Sequence, residues 1–385
     1  MQDSASEHIL SGGTFELPPQ QTKLEEFWSQ LRKNRLSLMG LFIFAVFFFI
    51  ALAGVFLTAG SKPILDPSLV RLEEKLRPPL SRAKMEDLAP EEIPPLGRYF
   101  LGTDELGRDV FARMLQGAWV SLTVGFVAVG IAVIIGVILG GLSGYYGENP
   151  VRLGQVAIVF LLFLAVVNWR RLPGGLPIVL VLAAMGFAVI MLLQRKKRCR
   201  GPLAFVYLQL LSVDILITGL IDIMLCFPSF FLILTVVALL PASIYNIMIV
   251  IGLTSWMGAA RFVRAEFLSL REQDFVTAAR ALGISDWRII FRHMVPNAIA
   301  PVLVSATIGI AGAILTEAGL SFLGFGVPPP HATWGNILSD GKNYLFDAPW
   351  LTIIPGLAIL VVVLSFNLFG EGLRDILNPK LRERH

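Results

Sequence analysis

The chain has 385 residues, of which 55% are hydrophobic and 16% charged, and its mean hydropathy is +0.71. Soluble proteins carry about 25% charged residues, so this composition excludes an ordinary soluble enzyme and fits one all-α membrane domain of many spans. The net charge of +4 is small and unevenly placed, which bears on orientation and not on nucleic acid, and the two cysteines, Cys199 and Cys226, suggest neither a disulfide framework nor a metal site.

A bilayer core asks for about 20 apolar residues of helix. Residues 1–35 form a polar segment with no charged-then-apolar start, so the first apolar run, Leu36–Ala59, reads as an anchoring helix and not as a cleaved signal peptide. Residues 60–118 are a large loop charged with both signs. The second core helix falls in 119–150, with its span at Trp119–Leu142. Its glycines (Gly125, Gly130, Gly136, Gly140, Gly141) permit close helix packing in lipid. The inserted segment 151–218 offers Leu153–Val167, short for a crossing, and Pro177–Leu193, nearer to sufficient. The remaining core, 219–377, supplies Asp222–Leu240 with a kink expected at Pro228, then Ile244–Ala260, Ala298–Gly319 and Trp350–Gly370. Residues 378–385 are a polar tail, and the count is about eight spans.

Lys and Arg in short loops set orientation. Lys23, Arg32, Lys33 and Arg35 precede the first span, and Arg195, Lys196, Lys197, Arg198 and Arg200 follow the inserted pair. Arg261, Arg264, Arg271, Arg280, Arg288 and Arg292 gather around residues 261–292, and Lys380, Arg382 and Arg384 end the chain. With eight spans all four groups lie on one side, which is then the cytoplasm. Arg170 and Arg171 dissent, since they join the two inserted helices on the other side; if only one of those helices crosses, Leu203–Gly219 must supply the missing span.

Between runs of membrane-grade hydropathy lies a polar, basic stretch, Asp274–Asn297. Phe275, Ala278, Ala279 and Leu282 fall at i, i+3, i+4 and i+7, one apolar helix face, and two of the four are small enough to let another backbone approach. Gly283 fits a helix-ending C′ position, and Ser285 an N-cap for a second short helix with Asp286 in its first turn. A helix–glycine–helix knuckle on the water side of a membrane is a docking shape. The competing reading, from composition alone, is a basic amphipathic helix lying on anionic lipid. No G-x-x-x-x-G-K-[ST] loop, no H-E-x-x-H and only four histidines accompany it, so neither nucleotide cradling nor metal chemistry is indicated.

The same stretch resembles the cytoplasmic coupling loop of ABC importer permeases, whose pattern is Glu-Ala-Ala, three residues, Gly, then Ile and Pro. Ala278, Ala279, Gly283, Ile289 and Pro296 fit it, while Thr277 stands where the family's Glu usually sits. FWSQLRKNRLSLMG (Phe27–Gly40), LGTDELGRDVFARML (Leu101–Leu115), AILTEAGLSFLGFG (Ala313–Gly326) and FNLFGEGLRDILNP (Phe366–Pro379) are similar to the second, C-type permease subunit of dipeptide, oligopeptide and nickel importers. The resemblance covers residues 24–150 and 219–384; residues 151–218 resemble nothing that can be placed.

It implies a type I ABC importer transmembrane domain, a six-helix core with an inserted pair, multi-pass in a bacterial inner membrane with both termini cytoplasmic. It implies no cofactor, no metal and no catalytic residue, with ATP hydrolysed by partner chains. The implied partners are a homologous second permease, one or two cytoplasmic ATP-binding subunits and an extracytoplasmic substrate-binding protein. ATPase coupling would fall on the loop at 274–296, through Asp274, Phe275, Ala278, Ala279, Leu282, Gly283, Ile284 and Ser285. Asp222, at the start of its expected span, matches an acid common in the family, and Glu317 sits near the far end of its own span; both are candidates for a structural or gating role. Pro328–Pro330 and Trp334–Gly335 suggest a rigid cap in the loop Ser321–Pro349. A transporter or channel working without ATP would instead carry paired ionisable residues at mid-membrane, and these spans hold almost none. Cargo stays open among peptides, nickel, glycan fragments and an antimicrobial peptide.

Overall fold

The computed structural model of the chain describes residues 23–152 and 209–377, apart from 61–62, 87, 89–91, 96 and 148, together with residues 158, 181 and 185. Apart from those three residues, the expected spans Leu153–Val167 and Pro177–Leu193 lie outside the described residues, as do Arg170, Arg171, Cys199 and the 195–200 basic cluster. So does the tail 378–385.

Helix α1 (Lys23–Lys33) breaks at Asn34, whose side chain accepts the Ser37 N–H at 3.2 Å and starts α2 (Arg35–Thr58). The second span starts earlier than its hydropathy suggests. Asp109 caps α3 (Val110–Tyr146) by accepting the Phe111 N–H at 2.9 Å, so the preceding loop ends nine residues sooner than expected, at 109 rather than 118. The expected span Asp222–Leu240 is two helices, α4 (Val213–Cys226) and α5 (Ser229–Leu239), bent by 83° where Pro228 interrupts them. Then come α6 (Ile244–Arg271), α7 (Asp274–Ala281), α8 (Asp286–Phe322), α9 (Trp334–Gly341) and α10 (Trp350–Leu377). Among the described residues, five helices are long and apolar enough to cross a membrane, six when the bent pair is one span.

Small residues decide which helices meet. A Cβ on Gly136 would lie 2.6 Å from the Ala259 Cβ, on Gly140 2.4 Å from the Ala260 carbonyl oxygen, and on Gly144 2.5 Å from the Phe267 Cβ. That close approach runs α3 along α6 as one unit. Gly130 has open space instead, so it is no part of this seam. Around the seam Val124, Ala128, Ile247, Ile251, Ile310 and Ile314 form the main apolar core.

One end of the bundle carries α1, the C-terminal ends of α3, α6 and α10, and α7; it is called the knuckle end below. The loop end carries residues 60–109 and 323–349. There the strands β1 (Ser81–Arg82) and β2 (Arg98–Tyr99) pair, and α9 begins in a capping box between Thr333 and Asn336. Trp334 is fully packed and its indole N–H donates to the Met114 carbonyl at 3.2 Å, so the expected cap is a fixed helix. At the knuckle end β3 (Pro150–Arg152) pairs antiparallel with β4 (Gln209–Ser212). The inserted segment therefore leaves and rejoins the core at the same end, and the later spans keep their direction. The strand at 209–212, followed by α4 from Val213, rules out Leu203–Gly219 as one helical span.

Candidate functional site

The knuckle is α7, a tight turn, and the start of α8. Leu282 caps α7, and Gly283 adopts φ +71°. The Gly283 N–H donates to Arg280 O at 2.9 Å and the Ile284 N–H to Ala279 O at 3.1 Å, the paired bonds of a Schellman ending. Ser285 sits at the N-cap position with extended backbone, but its hydroxyl caps nothing; its carbonyl accepts from Arg288 and Ile289. The following helix is not short. It continues through a π-helical stretch, Ile289–Met294, into the span that ends at Phe322. Pro296 gives the reason: it has no N–H to return to the preceding turn, and the ladder widens just before it, with the Val295 N–H reaching Ile290 O.

Of the four residues of the expected docking face, Ala279 is turned into the core and the other three are exposed. Val276 and Ala279 point inward and pack with Val263, Phe267, Ile289, Ile290 and Met294. Ala279 is thus a packing residue and not part of the outer face, and Val276, which the sequence did not single out, packs beside it. Phe275, Ala278 and Leu282 face outward, Leu282 at 79% exposure, and Asp274 lies beside them. Trp287, 71% exposed, stacks on Phe291 with ring centroids 4.0 Å apart. Ile284 turns in against the apolar cluster. The result is a small helix anchored by one face and offering a second, apolar face to the outside.

The C-terminal end of α3 meets both arms of the knuckle. The hydroxyls of Tyr145 and Tyr146 donate to the Asp286 carboxylate at 2.7 and 3.2 Å. The Arg280 guanidinium lies 4.8 Å over the Tyr145 ring. With Asn149, Arg271 and Glu272 these side chains line a polar cleft of about 400 Å³. No sequence pattern singled out this tyrosine pair; its only signal is two aromatic hydroxyls closing a glycine-rich helix.

The two expected acids fall elsewhere. Asp222 is inside α4, not at its start, and meets Arg261 at 2.9 Å as an exposed pair. The first turn of α4 holds Asp214, which accepts both Arg264 nitrogens at 2.5 and 2.6 Å and the Ser143 hydroxyl, tying α4 to α6 and α3. Glu317 is fully buried toward the loop end. It accepts the Ser321 hydroxyl at 2.6 Å and the Ser121 hydroxyl at 3.4 Å, and Ser121 in turn accepts the Trp334 N–H. That carboxylate braces α8, α3 and the start of α9 together. Among the described residues, no group of three His, Cys, Asp or Glu side chains could hold a metal ion.

Residues 207–383 match the family described as the binding-protein-dependent transport system inner membrane component, and residues 22–73 match the N-terminal transmembrane domain of oligopeptide transport permease C. The chain is 35% identical over 357 residues to the dipeptide transport system permease protein DppC of Alkalihalophilus pseudofirmus, covering 93% of this chain and 90% of that one. It is 32% identical over 359 residues to the di/tripeptide transport system permease protein DppC of Pseudomonas aeruginosa, covering 93% of each. With the oligopeptide transport system permease protein OppC of Bacillus subtilis it shares 32% over 290 residues, 75% of this chain and 74% of that one.

Proposed function

Because the chain belongs to the family of C-type permease subunits of dipeptide and oligopeptide ABC importers, we propose that its knuckle is the face on which a cytoplasmic ATPase subunit docks. The exposed Phe275, Ala278 and Leu282, on a helix whose other face is locked into the core, carry this reading. The knuckle end then faces the cytoplasm of a bacterial inner membrane, as do both termini. The loop end faces outward, toward a substrate-loaded binding protein. The translocation path forms against a homologous permease, and the cargo is a peptide, the class named for the relatives. ATP hydrolysis belongs to the docked subunits. Their closure moves the knuckle and switches the bundle between two openings, a population shift driven by a ligand that grips one state more tightly.

Leu282→Asp tests the docking face without touching the core, since that side chain is mostly solvent-exposed. The permease should insert normally, fail to co-purify with its ATPase subunits and lose peptide uptake. Retained ATPase binding with continued uptake refutes the docking role. A cysteine placed by Arg280→Cys should react with a thiol reagent only from the cytoplasmic side; reaction from outside reverses the orientation.

A further inference from the structure

We propose that Tyr145 and Tyr146 are positioning residues for transport. Through Asp286 and Arg280 they latch both arms of the knuckle to the end of α3, so that displacement of α7 is passed on to α8. The idea rests on the knuckle being the docking element. It adds which side chains convert docking into movement of the spans.

Outside the hydrogen-bonded turn that joins it to α8, α7 is held to the bundle mainly by apolar contact. It has only eight residues, too few for a helix to be stable by itself. Its inward contacts are the small apolar side chains Val276 and Ala279, and apolar burial holds an element down without fixing its heading. The turn beyond it passes through Gly283, around which a Cβ would meet nothing within 4 Å. The Ser285 side chain makes no capping bond. Directional ties come instead from α3: Arg280 of α7 lies on the Tyr145 ring, and Asp286 of α8 takes the hydroxyls of Tyr145 and Tyr146. The two rings brace each other edge-on at 4.8 Å. One aromatic pair therefore spans the glycine turn from a third helix.

That third helix also reaches the opposite end of the molecule. α3 has 37 residues, about 55 Å at 1.5 Å per residue. At its far end Arg113 is bonded into the loops through Asp104 and Asp340. A latch on α3 thus puts the knuckle and the loop end on one rod. Folding does not require these hydroxyls, because Asp286 is exposed in a polar cleft where water can take their place.

The test compares the intact importer in proteoliposomes, assembled with Tyr145→Phe/Tyr146→Phe permease or with Asp286→Asn or Asp286→Ala. Phenylalanine keeps the rings and the Arg280 contact and deletes only the hydroxyls. Asparagine keeps one acceptor oxygen for one hydroxyl and offers an N–H that the other hydroxyl oxygen can accept, whereas alanine removes both partners. ATPase subunits should co-purify with every variant, and ATP turnover should stay within about twofold. Peptide taken up per ATP hydrolysed should fall about tenfold in the double phenylalanine and alanine variants, the scale of losing hydrogen bonds to a charged group. Asp286→Asn should stay near the wild-type ratio. An unchanged ratio in both the double phenylalanine and alanine variants overturns the latch. So does loss of ATPase binding together with uptake, which would make the pair part of the docking surface. Failure of docking itself is read separately, by Leu282→Asp.

Discussion

The two ends of this permease place their acids in opposite ways. At the loop end Asp104 is fully buried, yet it accepts the backbone N–H groups of Leu106 and Arg108 and the side chains of Arg108 and Arg113. Asp340 closes the network by pairing with both arginines at 2.9 and 3.1 Å. At the knuckle end Phe275, Leu282 and Trp287 stay exposed, and the acids Asp274 and Asp286 are solvated. Both ends leave apolar side chains exposed, Leu80 and Phe346 at the loop end among them, but the loop end also seals a carboxylate–arginine network away from water. A buried carboxylate whose oxygens are all bonded marks structure, whereas an exposed acid leaves its neighbours free to rearrange.

Removing Arg113 should damage the finished end most. Arg113→Ala takes the nearest partner from a buried carboxylate and should cost about 3 kcal/mol, the lower side of the range for breaking a buried pair, because Arg108 remains. The unfolding midpoint in detergent measures it. A variant as stable as the parent would mean the loop end is as loosely held as the knuckle.

Two glycines sharpen the contrast, since both have φ +71°. A Cβ on Gly107 would sit 1.8 Å from the Arg71 carbonyl oxygen, whereas one on Gly283 meets nothing within 4 Å. Gly283→Ala should cost only the left-handed backbone strain, about 1 kcal/mol, and Gly107→Ala distinctly more, because backbone must also move. Equal losses in unfolding midpoint would remove the difference in packing between the ends.

Much of this was legible in the sequence because hydropathy and helix punctuation are local. The first span, the break at Pro228 and the ending at Gly283 all follow from residues within a turn of the event. Span limits were not legible, since α3 and α6 run past their apolar windows through Arg113 and through Arg261 to Arg271, residues that long-range partners such as Asp104 and Asp222 make tolerable. On α7, helical periodicity gave one apolar face, Phe275–Ala278–Ala279–Leu282, and left Val276 unread. Tertiary contact with Phe267 and Ile289 is what turns Val276 and Ala279 inward. The tyrosine latch and the Asp214–Arg264 pair join residues far apart in the chain and leave no spacing to read.

Burial at the loop end also sets what an acid costs there. Asp109 at the loop end is almost fully buried, and burial pushes its carboxyl above the ordinary carboxylate range, although the Phe111 N–H and the charge of Arg71 pull it back. A raised native pKa means that the folded chain takes up this proton at higher pH than the unfolded chain. Ionised Asp109 is therefore a liability, fully present at neutral pH, that fades as pH falls through the native pKa toward the ordinary value of about 3.9. Asparagine caps a helix about as well as aspartate. Asp109→Asn should thus raise the unfolding midpoint slightly at neutral pH, and the gain should vanish on acidification. A variant less stable at neutral pH would show instead that attraction to Arg71 outweighs burial.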